Sequence, residues 1–264
     1  SNKTLKKWKK EAEKLRRDTP HFDENYKFYL SNLKDINEKE KLVGHLESNN
    51  YYAHRAILKC LQFLQEHGFI NNADIEKYEE LDSRHVTVKG IIASQIGECN
   101  EIMFTEIMTS DILDKLTGEE IVSLMAVFLN TKLQSNEDIS TAFSLDIPLN
   151  LKHALDKVSK LNGKYLDSII SHHIYYNDEW NISLNMIEPT YLWIKGMDIN
   201  TLLQKYALYE GNFIKDIIKL SNILENLVKM ANLLDKTELA SRVGKISEKL
   251  IRDVVAVESL YIKN

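Results

Sequence analysis

Five polar residues recur at helical spacing in the stretch YEGNFIKDIIKLSNILENLVKM, residues 209–230. Lys215, Lys219, Asn222, Asn226 and Lys229 are separated by four, three, four and three positions. A 3.6-residue period puts all of them in one stripe. Ammonium groups in a row suit anions, and carboxamides offer a donor and an acceptor together. Phe213, Ile217, Leu220, Leu224 and Leu227 make the opposite, apolar stripe. A helix resting on a core leaves such a polar back in water, so the pattern alone is satisfied by a solvated face.

Other chemistry-bearing residues lead nowhere specific. His172 and His173 are adjacent, so on a helix they point about 100° apart and chelate poorly; they read as solvated helix-end residues. Glu101 and Glu106 do not make a catalytic pair, and no serine–histidine–aspartate pattern is present. Trp180 and Trp193 read as packing residues. The chain lacks the glycine-rich phosphate loop that ends in Gly-Lys-Ser or Gly-Lys-Thr, and it lacks an acidic DExH or DExD box. It therefore cannot assemble that type of nucleotide-hydrolysis site. No catalytic residue, metal ligand or cofactor site is expected within it.

The composition narrows the class. Over 264 residues, 44% are hydrophobic and 28% charged, enough for a sizeable core in one large domain or two small ones. Net charge is -5, so overall charge does not point to nucleic acid, although a local basic patch remains possible. Cys60 and Cys99 are far apart inside apolar runs, which fits a reducing compartment better than a disulfide framework. No apolar run is long enough to span a membrane, and the N-terminus has no apolar signal core. Three prolines and nine glycines favour long helices. The expected fold class is mainly α: a multi-helix bundle, the second half of a small winged-helix domain, and an N-terminal helical stalk. Ser1-Asn2 without a leading methionine suggests a fragment of a longer protein.

The elements follow from periodicity and punctuation. Leu5, Trp8, Ala12 and Leu15 form one stripe in a helix otherwise filled by lysine and arginine, ended by Thr19-Pro20. Its thin apolar face argues against a membrane. A second helix is expected over about 23–46, with Tyr26, Tyr29, Leu30, Leu33 and Ile36 as contacts. A third runs over 51–67 and ends at Gly68 in a left-handed cap, with Phe69 and Ile70 folding back. Val86 and Val88 alternate with Thr87, which predicts a strand broken at Gly90 and so a wing. Thr117 and Glu120 make a capping box that starts a buried helix carrying Ile121, Leu124, Met125, Phe128 and Leu129. A long helix is expected over 149–176 with a break near Gly163. Pro189 starts the next helix and Gly196 ends it, and a short helix covers 199–207. The final helix carries Leu239, Val243, Ile246, Leu250, Val254 and Val257 on one stripe. The expected domains are a stalk over 1–49, a winged-helix portion over 50–98 and a helical bundle over 99–264.

Three segments carry a resemblance. They are ILKCLQFLQEHGFI followed by VTVKGIIASQIGECNEIMFTEIM, then LTGEEIVSLMAVFL, then YLWIKGM through KLIRDVVAVESLYI. In order and spacing they resemble the C-terminal portion of Ski2/Mtr4-like superfamily 2 DExH-box RNA helicases, over roughly residues 50–264. That family's pattern has an "LKGRVA" wing, an "LLLTE" bundle start, an "LTPEQ" helix start, "FEGxxIRxxRRLEELL" and "IKRDIVFAASLY". The resemblance implies a bundle packed on two motor domains, with one ratchet helix lying across the RNA channel and touching bases. Here that helix is the one that opens Glu210-Gly211-Asn212. Lys215 stands at the arginine after "EGxxI", Lys219 at the second arginine of the double-arginine pattern, and Asn222 at the second glutamate. Ile218 and Ser221 depart from the pattern, Ile91 replaces the wing arginine, and the family's "FNG" is missing from MTSDIL. Lysine lacks the planar fork of arginine, so oriented base contacts should weaken.

On this resemblance, Lys215, Lys219, Asn222, Asn226 and Lys229 face single-stranded RNA. Lysines would supply a salt-dependent hold on the backbone, and asparagines would meet base edges or sugar hydroxyls. The chain would be a non-catalytic accessory region that supports 3'-to-5' unwinding by motor domains outside it. Those domains would hold ATP and Mg. RNA-processing or decay factors are further implied partners, with no membrane. High lysine, asparagine and isoleucine content suggests an AT-rich genome, viral or protist. An intracellular site is expected, in a host cytoplasm, a nucleus or a virion. The alternative is a helical protein–protein interaction module without nucleic-acid binding; it predicts a stripe that is covered or set in an acidic surface.

Overall fold

The computed structural model describes residues 2–131, 144–247 and 249–252. Among them the chain is helical, with no strand and a single antiparallel bridge between Ile70 and Val86. It divides into two compact units, Ser1–Ile57 and Leu58–Asn264, so the division falls inside a helix.

The first unit holds α1, Asn2–Asp18, and most of α2, Phe22–Glu66. The two are joined by Thr19-Pro20-His21. Thr19 donates its hydroxyl to the Leu15 carbonyl at 2.8 Å, and His21 takes a left-handed φ of 55°. Arg16 and Asp23 pair across the turn at 2.5 Å. The expected stripe forms, but Leu5, Trp8 and Leu15 stay exposed. The two helices expected over 23–46 and 51–67 are one helix of 45 residues. Gly44 and Ser48-Asn49-Asn50 do not break it, because weak helix formers are tolerated where favourable turns flank them.

The second unit has a continuous core. Gly68 ends α2 at φ 72°, and the Phe69 amide donates back to the Leu64 carbonyl at 2.8 Å. Phe69 is thereby buried, as its position after the glycine predicts. The strand expected at Val86–Val88 is not formed. Thr87 instead caps α3, Val88–Ser94, its hydroxyl accepting from the Gly90 amide at 3.1 Å while donating to the Gly68 carbonyl at 2.8 Å. A residue that caps a helix gives up its place in a strand. Close approach explains Gly90, where a Cβ would lie 2.3 Å from the Phe69 carbonyl oxygen.

α4, Glu101–Thr109, is capped by Asn100 and packs on α3. α5, Gly118–Met125, opens with the expected capping box: the Thr117 amide donates to Glu120 at 2.8 Å, and the Glu120 amide donates to Thr117 at 3.3 Å. Ile121, Leu124, Met125, Phe128 and Leu129 are all buried. The stretch NTKLQSNEDISTA, residues 130–142, reads as a surface loop and lies mainly outside the described residues.

α6, Leu149–Ser171, runs unbroken through Gly163 and stops short of Tyr176, where His173 turns left-handed at φ 52°. α7, Ile187–Ile194, starts two residues before Pro189. Amides in a first turn need no intrahelical partner, so proline fits there beyond the first position. Gly196 ends it at φ 97°. α8, Ile199–Tyr206, is capped by Asp198 and closes at Ala207, a left-handed non-glycine at φ 50°. α9, Glu210–Leu233, and α10, Thr237–Ser247, form the most extensive helix pair. α5 packs on α6, α7, α9 and α10 and so sits at the centre. Leu239, Val243, Ile246 and Leu250 are buried as the final stripe predicts; Val254 and Val257 lie outside the described residues.

Candidate nucleic-acid interface

α9 begins three residues after Ala207, the left-handed residue that stops α8. Its inner face buries Phe213, Ile217, Leu220, Leu224 and Leu227, with Ile214, Ile223, Met230 and Ala231 widening the contact. Nine apolar side chains in 24 residues fix the helix's rotation. Phe213 meets Trp193 edge to face at 5.4 Å. Trp193 is fully buried, donates its indole N–H to the Leu250 carbonyl at 2.9 Å and carries the Arg252 guanidinium 3.4 Å from its ring centroid. Both Trp193 and the half-buried Trp180, stacked near Tyr165 at 6.3 Å, are packing residues.

With the inner face fixed, the five polar residues share the outer one. Lys215, Asn222 and Lys229 are exposed, and Lys219 and Asn226 are half-buried. From Lys215 to Lys229 the row runs about 21 Å along the axis. Two departures from the resembled pattern within α9, Ile218 and Ser221, are half-buried, and Ile218 packs on the core.

The setting of Lys219 is acidic. It shares a pocket of about 120 Å3 with Glu98, Cys99, Asn100, Glu101, Asn130 and Glu179. The Cys99 thiol is pushed up to about 12, chiefly by burial, with Lys219 opposing and Glu101, Glu98 and Glu179 adding to the rise. Burial also raises the carboxyl of Asp216, which accepts from the Thr131 hydroxyl and is partly offset by Lys219. Thr131 is held in turn by Asn185, which donates to its carbonyl at 3.0 Å. Sequence reasoning missed this frame. Glu98, Glu101 and Glu179 come from stretches up to 81 residues apart, and no local pattern joins them.

A second polar cluster secures the end of α2. Nε2 of His67 lies 2.8 Å from the Ser168 hydroxyl, and the ring lies against Tyr165 and Phe63. Burial lowers the His67 pKa first of all; Lys89 and Lys164 act the same way, and Glu66 and Glu106 oppose. Lys89 pairs with Glu106 and donates to the His67 carbonyl at 2.8 Å; Tyr165 donates to Glu106. His172 is not simply solvated: Nε2 lies 3.2 Å from Glu66 and Nδ1 lies 2.8 Å from the Ser168 carbonyl. Among the described residues no group of three histidine, cysteine or carboxylate side chains is placed to hold a metal ion. Nor, among them, is any helix long and apolar enough to cross a membrane.

Residues 83–258 match the DSHCT (NUC185) domain, and the chain belongs to that family. It is similar to the DExH-box ATP-dependent RNA helicase DExH9 of Arabidopsis thaliana, 24% identical over 87% of this chain and 23% of that protein. It is similar to the exosome RNA helicase MTR4 of Homo sapiens, 22% identical over 78% of this chain and 18% of that protein. The antiviral helicase SKI2 of Saccharomyces cerevisiae is 22% identical over 72% of this chain and 15% of that protein. The Ski2/Mtr4-like kinship thus holds. The chain spans less than a quarter of the length of these relatives, which come from cellular organisms and lend a viral source no support.

Proposed function

We propose that this chain is the accessory helical region of an ATP-dependent RNA helicase, and that the outer face of α9 contacts single-stranded RNA. The observation that carries the reading is the open row of Lys215, Asn222 and Lys229 on a helix whose rotation the core fixes, within a family whose named relatives are RNA helicases. Lysines about one and about three turns apart along the row can follow a backbone, and the side-chain amides between them can meet base edges or 2'-hydroxyls without strong sequence preference. The region does no chemistry itself. Its residues offer no phosphate loop and do not fit ATP or magnesium. Both would be held by motor domains outside these residues, which would pull the strand 3'-to-5' across α9. RNA-processing or decay factors and an intracellular site, nuclear or cytoplasmic, follow from the same reading.

Titrating a fluorescent single strand of about ten nucleotides at low salt tests it. Lys215→Ala with Lys229→Ala should weaken binding about tenfold and flatten the salt dependence. Equal binding by both proteins moves the RNA off α9. The acidic setting of Lys219 favours a second reading, a protein-docking surface without nucleic acid. That reading expects no RNA binding by either protein.

A further inference from the structure

Lys219 differs from the rest of its row in what surrounds it. Glu98 precedes α4, Glu101 is its first residue, and Glu179 lies in the one-turn helix Asp178–Trp180; all three line one pocket with Lys219. The three glutamates are exposed, while Lys219 is half-buried. Among the described residues none of the four forms an ion pair within 4.0 Å, so the acids line the pocket without being neutralised. The pocket then carries three carboxylates against one ammonium. A phosphate arriving at Lys219 meets net negative charge.

We propose that Glu98, Glu101 and Glu179 form an electrostatic frame that weakens the hold of Lys219 on a phosphate and so sets the grip of α9 on a single strand. This rests on the RNA reading above and deepens it. The frame gives the row an uneven grip, weak near its middle and stronger towards Lys215 and Lys229. A strand that must move past a helix is better served by such a surface than by uniform cations, because each step breaks fewer strong contacts. The carboxylates act at a distance through water, so their effect belongs to low salt and fades as the Debye length shrinks.

The test is the same titration with a Glu98→Gln, Glu101→Gln, Glu179→Gln variant. Each exposed charge across the pocket, in near-aqueous surroundings, is worth about a twofold to threefold change, so removing three should tighten binding about tenfold at low salt. The salt slope should steepen by about 0.7 as Lys219 gains a phosphate. Adding Lys219→Gln to the triple variant should cancel the gain. Unchanged or weaker binding by the triple variant, with an unchanged melting curve, overturns the frame. The RNA reading survives that result if wild type binds and the Lys215, Lys229 variant does not. If neither wild type nor the triple variant binds at tens of micromolar protein, both fall. Should the triple variant melt early, the three single variants decide, each expected to tighten binding about twofold.

Discussion

Replacing Gly118 by alanine should unfold the second unit more easily, although alanine is the better helix former. Gly118 is the first residue of α5, and a Cβ there would lie 2.5 Å from the Arg242 carbonyl oxygen and 2.6 Å from Cγ1 of Ile246, both on α10. The Ile246 side chain can rotate, but the carbonyl belongs to a helix and cannot yield without moving α10. Arg242 further ties that helix to the turn before α5, donating to the Leu116 carbonyl at 2.5 Å. Helix propensity would favour alanine by less than about 1 kcal/mol at a helix end. Overpacking a tight contact costs about 1–3 kcal/mol, and a backbone obstacle puts the cost at the upper end. The net expectation is a loss of about 2 kcal/mol, or roughly 4–8 °C in melting temperature for a unit of this size. The assay is urea unfolding followed by tryptophan fluorescence, with the slope compared to confirm that only the midpoint moves. Gly163→Ala supplies the contrast. It also sits in a helix, a Cβ there meets nothing within 4 Å, and it should gain about 0.5–1 kcal/mol. If Gly118→Ala proves as stable as wild type, the close approach of α5 and α10 is wrong, and so is the seat it gives to α9.

Three further outcomes follow from the same packing. His67 has its pKa lowered in the folded state, so below about 6.5 the unfolded chain takes up a proton that the folded one resists; stability should fall as pH drops from 7 towards 5, and His67→Gln should flatten that fall in denaturant midpoints. Burial pushes the Glu188 carboxyl up, but hydrogen bonds from Tyr206, the Asp146 amide and Lys205 outweigh it and hold it below its usual value, so the ionised group stabilises the fold above about 4.5 and this is lost as it protonates; Glu188→Gln should lower stability at neutral pH and flatten its loss below about 4.5. Cys99, with its thiol pushed up to about 12, should resist alkylation at pH 8 while exposed Cys60 reacts, and mass spectrometry should find the second adduct only in denaturant.

The candidate interface was half visible in the chain. The apolar row Phe213, Ile217, Leu220, Leu224 and Leu227 determined which way α9 faces, and with it the exposure of Lys215, Asn222 and Lys229. Short-range signals were equally firm where they used fixed offsets: Thr117 with Glu120, and Gly68 with Phe69 behind it. Alternation was weaker evidence. Val86 and Val88 flank a threonine as strand residues do, yet Thr87 found the Gly68 carbonyl and the Gly90 amide, and a helix began instead.

By itself the sequence determined the mainly helical class, the caps and the inner face of each amphipathic helix, because these depend on residues within a turn or two of one another. Only the tertiary structure decided that α2 is one helix, that Gly118 must be glycine, and that Glu98, Glu101 and Glu179 line one pocket with Lys219. Charge and close packing act through space, and the residues that meet there share no period along the chain.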